Sequence, residues 1–130
     1  MPVALLSASV TPHSRAKGGL APWQLRKATR YIEENLAQQI LVGVLAHQVG
    51  LSSYHFCRAF KQSLGTPPHR YQTNRRMEHA KLLLAEGAVS VTEIGLTLGF
   101  SSPNAFATTF RKATGLTPTD YRRSLPLARP

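Results

Sequence analysis

The sequence predicts an all-α fold of about seven helices, built from two copies of one short helical unit joined by a long central helix. Three observations carry that prediction. Apolar residues recur at helical spacing, no strand-like alternation of useful length occurs (Val42-Gly43-Val44 is too brief), and a stretch of roughly 28 residues is repeated at an offset of 49 to 50.

Residues 1–20 mix Ser, Thr, Pro and Gly without periodicity and are expected to form a flexible N-terminal arm. Pro22 suits a helix N-terminus. From there Trp23, Lys27/Ala28, Tyr31/Ile32 and Leu36 recur on one side, predicting an amphipathic helix over 22–36 with Trp23 in the core.

Leu45-Ala46-His47-Gln48-Val49-Gly50-Leu51-Ser52-Ser53 aligns with Ile94-Gly95-Leu96-Thr97-Leu98-Gly99-Phe100-Ser101-Ser102 at an offset of 49. One inserted residue later, Phe56, Phe60, Lys61, Gly65, Pro68 and Tyr71 match Phe106, Phe110, Arg111, Gly115, Pro118 and Tyr121 at an offset of 50. Each copy reads apolar, small, two residues, apolar, Gly, apolar, Ser-Ser. Two short helices crossing steeply need a glycine in the tight turn, a small residue where they meet, and a serine to cap the second. Each copy is therefore expected to be a helix-turn-helix, and a second helix is expected over Ser53–Leu64 in copy one. Its inner face carries Phe56, Ala59, Phe60 and Leu64. Between the copies, Met77, Ala80, Leu83 and Leu84 form the stripe of one long helix that Gly87 stops.

The expected organisation is then an arm (1–20), a first helix-turn-helix subdomain (21–70), a linker helix (71–88), a second helix-turn-helix subdomain (89–124) and a C-terminal tail (125–130).

Charge points to a partner. The 130 residues hold 16 Lys+Arg against 6 Asp+Glu, a net charge of +10. Between Glu34 and Glu78 lie 43 acid-free residues with Arg58, Lys61, Arg70, Arg75 and Arg76. A second acid-free run, Ile94 to Thr119, holds Arg111 and Lys112, and Arg122, Arg123 and Arg129 follow. Such segregation suits a surface facing phosphates. The single cysteine, Cys57, excludes an internal disulfide framework. No apolar run approaches a membrane span, so a cytoplasmic, nucleoid-associated protein without a membrane partner is expected. His13, His47, His55, His69 and His79 fit no metal-ligand spacing, and no catalytic constellation appears, so neither metal, cofactor nor enzymatic activity is expected.

The repeat resembles the DNA-binding domain of AraC/XylS-type bacterial transcription regulators. The resemblance runs from about Trp23 to Arg123 and is most specific in Gly99-Phe100-Ser101-Ser102 followed by Phe106-x3-Phe110-Arg111-Lys112-x2-Gly115-x2-Pro118-x2-Tyr121-Arg122. It implies two recognition helices placed in successive major grooves of duplex DNA. It also implies base contacts on the outer faces of the second helices: Tyr54, Cys57 and Arg58 in copy one, and Asn104, Ala105, Ala107 and Thr108 in copy two. Side-chain chemistry suggests Arg58 for guanine, Asn104 for adenine, and the Ala107 and Thr108 methyls for thymine. Ser52, Ser53, Lys61, Arg75, Arg76, Ser101, Ser102, Arg111 and Lys112 are expected at phosphates. The reading is a transcription activator that binds an asymmetric site as a monomer, with RNA polymerase a candidate partner. The rival readings are a basic module docking on an acidic protein, and an isolated domain of a larger ligand-responsive regulator.

Overall fold

The computed structural model describes residues 18–126. The expected arm up to residue 17 and the tail from residue 127, with Arg129, lie outside the described residues. Among the described residues the chain forms seven helices and no strand: α1 Pro22–Glu34, α2 Val42–Gln48, α3 Ser53–Leu64, α4 Pro68–Glu86, α5 Val91–Thr97, α6 Pro103–Thr114 and α7 Pro118–Ser124. They divide into two compact units. The first joins Ile40–Gln72 to the described part of Met1–Asn35, and the second joins Leu36–Gln39 to the described part of Thr73–Pro130.

In the first unit, Ala28 and Ile32 of α1 are buried with Leu45, Ala46, Val49, Phe56, Ala59 and Phe60. Gln24 secures the start of α1: its Oε1 accepts from the Ala21 N–H at 2.8 Å, and its Nε2 donates to the Val49 carbonyl at 3.0 Å. Trp23, expected in the core, is half exposed. The reason is helical phase. Trp23 stands five residues before Ala28, which is about 140° round a helix of 3.6 residues per turn, so it shares the outer stripe with Lys27 and Tyr31. Leu64, in the last turn of α3, is also more exposed than its expected core position implies.

The second unit is built around Met77, Ala80, Leu84, Ile94, Leu98, Phe106 and Phe110, with Leu83, Val89, Val91, Phe100 and Tyr121 packed against them. Helix α4 begins within the residues of the first unit, at Pro68 rather than at Tyr71. Pro68 and its repeat partner Pro118 are both buried first residues of helices, where a missing N–H costs nothing and the fixed φ suits the helix. Each repeat thus ends by starting a third helix.

The repeat is visible in the cores. Phe60 meets Tyr71 at 5.6 Å and 77°, and Phe110 meets Tyr121 at 5.4 Å and 74°, both edge-to-face pairs. In each helix-turn-helix the turn closes through the same bond, Leu51 N–H to the Ala46 carbonyl at 2.9 Å and Phe100 N–H to the Gly95 carbonyl at 3.0 Å. The turn glycine sits at positive φ in both, +76° at Gly50 and +99° at Gly99. The small residue before it is needed as well. A Cβ on Gly95 would stand 2.9 Å from the Phe106 ring, whereas the equivalent Ala46 fits copy one.

The caps locate the inserted residue. Ser52 Oγ accepts from the His55 N–H at 3.1 Å to start α3, and Ser102 Oγ accepts from the Ala105 N–H at 3.0 Å to start α6. Ser102 is therefore the counterpart of Ser52, and the extra residue of copy two falls between Phe100 and Ser102.

Candidate nucleic-acid interface

Once Phe56 and Phe60 are fixed inward, the phase of α3 dictates what faces outward. Ser52, Ser53, Tyr54, Arg58 and Lys61 are exposed, and Cys57 is half-buried beside them. Tyr54, Arg58 and Lys61 stand at i, i+4 and i+7 and so form one stripe. Within it Arg58 is held by Tyr54: its Nη1 donates to the Tyr54 hydroxyl at 3.1 Å, and its guanidinium carbon lies 5.6 Å from the ring centroid. An arginine oriented in this way loses less rotamer freedom when it takes up a bidentate acceptor.

Helix α6 repeats the layout with different chemistry. Asn104, Thr108, Arg111 and Lys112 are exposed, as is Ser101, while Ser102, Ala105 and Ala107 are half-buried. Asn104 occupies the place of Tyr54, and Thr108 that of Arg58. Neither α3 nor α6 contains an acidic residue, so the cations of each helix are not neutralised from within it. The two outer faces are basic at the C-terminal end and carry distinct polar groups at the N-terminal end. That is the arrangement needed to hold a phosphate backbone while presenting a few side chains to base edges.

The structure also adds a residue. His55 is exposed, its ring lies 6.1 Å from that of Tyr54, and its Nδ1 is 3.1 Å from Ser52 Oγ. It lines a hollow of about 560 Å³ beside α3, together with Gly18, Gly19, Gln24, Leu51, Tyr54, Arg58 and Ala59. In the sequence, the signal that could place His55 on this face is its position next to Tyr54.

Arg76, expected at a phosphate, has partners within the chain. Its Nε donates to the Leu36 carbonyl at 2.8 Å, its Nη2 to the Gln38 carbonyl at 3.3 Å, and its guanidinium carbon stands 5.3 Å from the Phe100 ring centroid. Burial lowers its pKa from the usual arginine value, though a guanidinium stays charged throughout the physiological range. Arg76 thus fastens segment 36–39 to the second unit. Arg122 makes a similar clasp within that unit, donating from Nε to the Leu84 carbonyl at 3.1 Å and from Nη2 to the Val89 carbonyl at 2.7 Å. Arg75 is half-buried and has an intramolecular partner. Arg76→Ala is expected to destabilise the protein by about 1–2 kcal/mol, because two charge-assisted bonds are lost from a partly exposed site. Chemical denaturation measures this directly. Among the described residues no helix is long and apolar enough to cross a membrane, and no cluster of metal-ligating side chains occurs.

Comparisons with known proteins agree with this geometry. A helix-turn-helix domain family model matches residues 45–124. An uncharacterized HTH-type transcriptional regulator of Staphylococcus aureus (strain COL) is 38% identical over 96 residues, which are 74% of this chain. This chain spans 13% of the length of that relative. The crystal structure of a Chromobacterium violaceum transcriptional regulator described as AraC-type superposes with a TM-score of 0.71 at 35% identity, covering 79% of this chain and 94% of that one. The DNA-binding domain of the global transcriptional factor AdpA, solved in complex with a target DNA, superposes with a TM-score of 0.72 at 31% identity. There the match covers 78% of this chain and 91% of the other. With its repeated helix-turn-helix, its two exposed outer faces and a family model matching well over half its length, the chain belongs to the AraC-type helix-turn-helix family of transcription regulators.

Proposed function

We propose that this chain binds duplex DNA sequence-specifically, using α3 and α6 as two unequal readers in successive major grooves. The observation that carries this reading is the pair of equivalent, exposed and basic outer faces on α3 and α6. Tyr54 and Arg58 in one correspond to Asn104 and Thr108 in the other. Arg58 donates bidentately to guanine O6 and N7, and Asn104 pairs with adenine N6 and N7. Cys57, Ala105, Ala107 and the Thr108 methyl supply short apolar contacts, suited to thymine methyl groups. Ser52, Ser53, Lys61, Ser101, Ser102, Arg111 and Lys112 hold phosphates and set the register. Two different readers on one chain make an asymmetric site of about 20 bp, bound by a monomer, since adjacent major grooves on one DNA face are about 34 Å apart.

A gel-shift titration at physiological salt with excess non-specific competitor tests the reading. A retained, sequence-selective complex supports it, and its absence overturns it. In the same assay Lys112→Ala is expected to weaken all sequences about equally and to reduce the slope of log K against log salt by about 0.9, the contribution of one phosphate.

A second surface favours regulation through a protein partner. The outer stripe of α1 places Trp23, Arg26, Lys27, Arg30 and Tyr31 around a groove of about 350 Å³ that Glu34 and Gln48 complete. Its aromatic and cationic lining suits an acidic segment of the transcription machinery, RNA polymerase included. In this reading the chain is a cytoplasmic, nucleoid-associated activator, and Trp23→Ala reduces transcription from a bound promoter without changing DNA affinity.

A further inference from the structure

His55 flanks the outward stripe of α3. It stands about 100° round the helix from Tyr54 and about 60° from Arg58, to one side of the line that Tyr54, Arg58 and Lys61 share. In a helix lying along a major groove, the stripe facing the floor meets base edges and the flanks meet the strand walls, where the phosphates are. The ring is braced from two directions. Ser52 Oγ accepts from the His55 N–H at 3.1 Å and lies 3.1 Å from Nδ1, and the Tyr54 ring stands edge-on at 6.1 Å. A serine hydroxyl has one proton; when it is donated to Nδ1, the neutral imidazole carries its own proton on Nε2. Nε2, at the opposite side of the exposed ring, has no hydrogen-bond partner among the described residues.

We infer that His55 is a DNA-backbone contact, its Nε2–H donating to one phosphate oxygen beside the base pairs that α3 reads while Ser52 fixes the ring from behind. This rests on the DNA-binding reading above, extends it to a further residue, and has Ser52 act on the phosphate through His55.

Space, charge and the repeat support the assignment. The hollow of about 560 Å³ next to His55 gives a strand room to approach. Its far rim is the backbone of Gly18 and Gly19, held close by the bond from the Leu20 N–H to Ser63 Oγ at 2.8 Å. The hollow's lining contains no carboxylate, and Arg58 is its other cationic side chain, so phosphate meets no like charge there. Gln24, the polar side chain facing from α1, has its Oε1 and Nε2 engaged with the Ala21 N–H and the Val49 carbonyl and leaves the ring free. In copy two the place of His55 is taken by Ala105, although Ser102 caps α6 as Ser52 caps α3. Copy two instead has Arg111 and Lys112 in its last turn where copy one has Lys61 and Gln62. The two readers thus grip the backbone at opposite ends, α3 with an added donor in its first turn and α6 with an added cation in its last.

The test compares the full chain with its His55→Ala, His55→Gln and His55→Asn variants on one selected duplex, by affinity and by phosphate-ethylation interference. Helical circular dichroism and urea midpoints check that the fold is kept. A glutamine amide reaches the place of Nε2, whereas an asparagine amide reaches only that of Nδ1 and can replace nothing but the bond to Ser52. The expected result for His55→Ala is a dissociation constant raised about tenfold for selected and unrelated duplexes alike, the loss of one hydrogen bond to a charged group. Interference should vanish at one phosphate of the α3 half-site while base preference is retained, and His55→Gln should restore binding better than His55→Asn. An unchanged interference pattern, a change of base preference, or rescue by asparagine as good as by glutamine overturns the phosphate contact and leaves the two-reader account standing. If the unaltered chain forms no selective complex, the DNA-binding reading itself fails and the contact fails with it.

Discussion

Gly99→Ala is expected to cost about 3 kcal/mol, visible as a lower urea midpoint, whereas Gly50→Ala at the equivalent turn should cost only about 1 kcal/mol. Both glycines hold positive φ, which by itself penalises an L side chain by about 1–2 kcal/mol. Their surroundings differ. A Cβ on Gly50 meets nothing within 4 Å. A Cβ on Gly99 would stand 2.3 Å from the Ala37 carbonyl oxygen and 2.8 Å from Arg76 Nη2. Neither neighbour can retreat cheaply, because Arg76 fastens the carbonyls of Leu36 and Gln38 on either side of Ala37. Relieving the overlap must therefore shift backbone, a cost of about 1–3 kcal/mol beyond the φ penalty. Equal losses at the two glycines would show that segment 36–39 is not seated on this turn.

Arg58→Ala should lower affinity for the preferred site by about 1–3 kcal/mol and erase preference at a single base pair, with little effect on folding. The small folding effect follows from position: Arg58 is exposed, and its hydrogen-bond partner, Tyr54, is 67% exposed. The binding effect follows from what the alanine lacks. It presents neither a bidentate donor to guanine nor the guanidinium that Tyr54 orients. Tyr54→Phe separates the two contributions. It keeps the ring under the guanidinium but removes the hydroxyl, so a smaller loss of affinity at the same base pair is expected. Selected-site profiles of the two variants and the unaltered chain make the comparison, and an unchanged profile for Arg58→Ala would remove α3 from the reading surface.

The parts of the fold legible in sequence are those whose signals are local. The bounds of α3 follow from a serine cap at Ser52 and a glycine at Gly65, and its inner face follows from Phe56 and Phe60 at i and i+4. The repeat doubled each of these signals, which made the outer faces readable by subtraction. Other features depend on pairings that spacing does not reveal. Arg76 lies 40 residues from Leu36 in sequence, and nothing near it announces a carbonyl partner rather than a phosphate. Trp23 misled for a different reason. Its size suggests burial, but helical phase turns it outward, and phase is hard to assign in the first turn of a helix. The early start of α4 at Pro68 was legible in principle, since Pro118 in the second copy marks the same kind of helix start. The approach of Gly18 and Gly19 to Tyr54 depends on how Leu20 anchors to Ser63, a contact across 43 residues.

In-vitro selection of bound duplexes from a random library tests the two-reader account most directly. The account predicts one asymmetric motif with two separated blocks, about one helical turn between centres, bound by a single chain. A guanine in the first block should be lost with Arg58→Ala, and an adenine in the second with Asn104→Ala. A palindromic motif bound by two chains, or no enrichment at all, would contradict it.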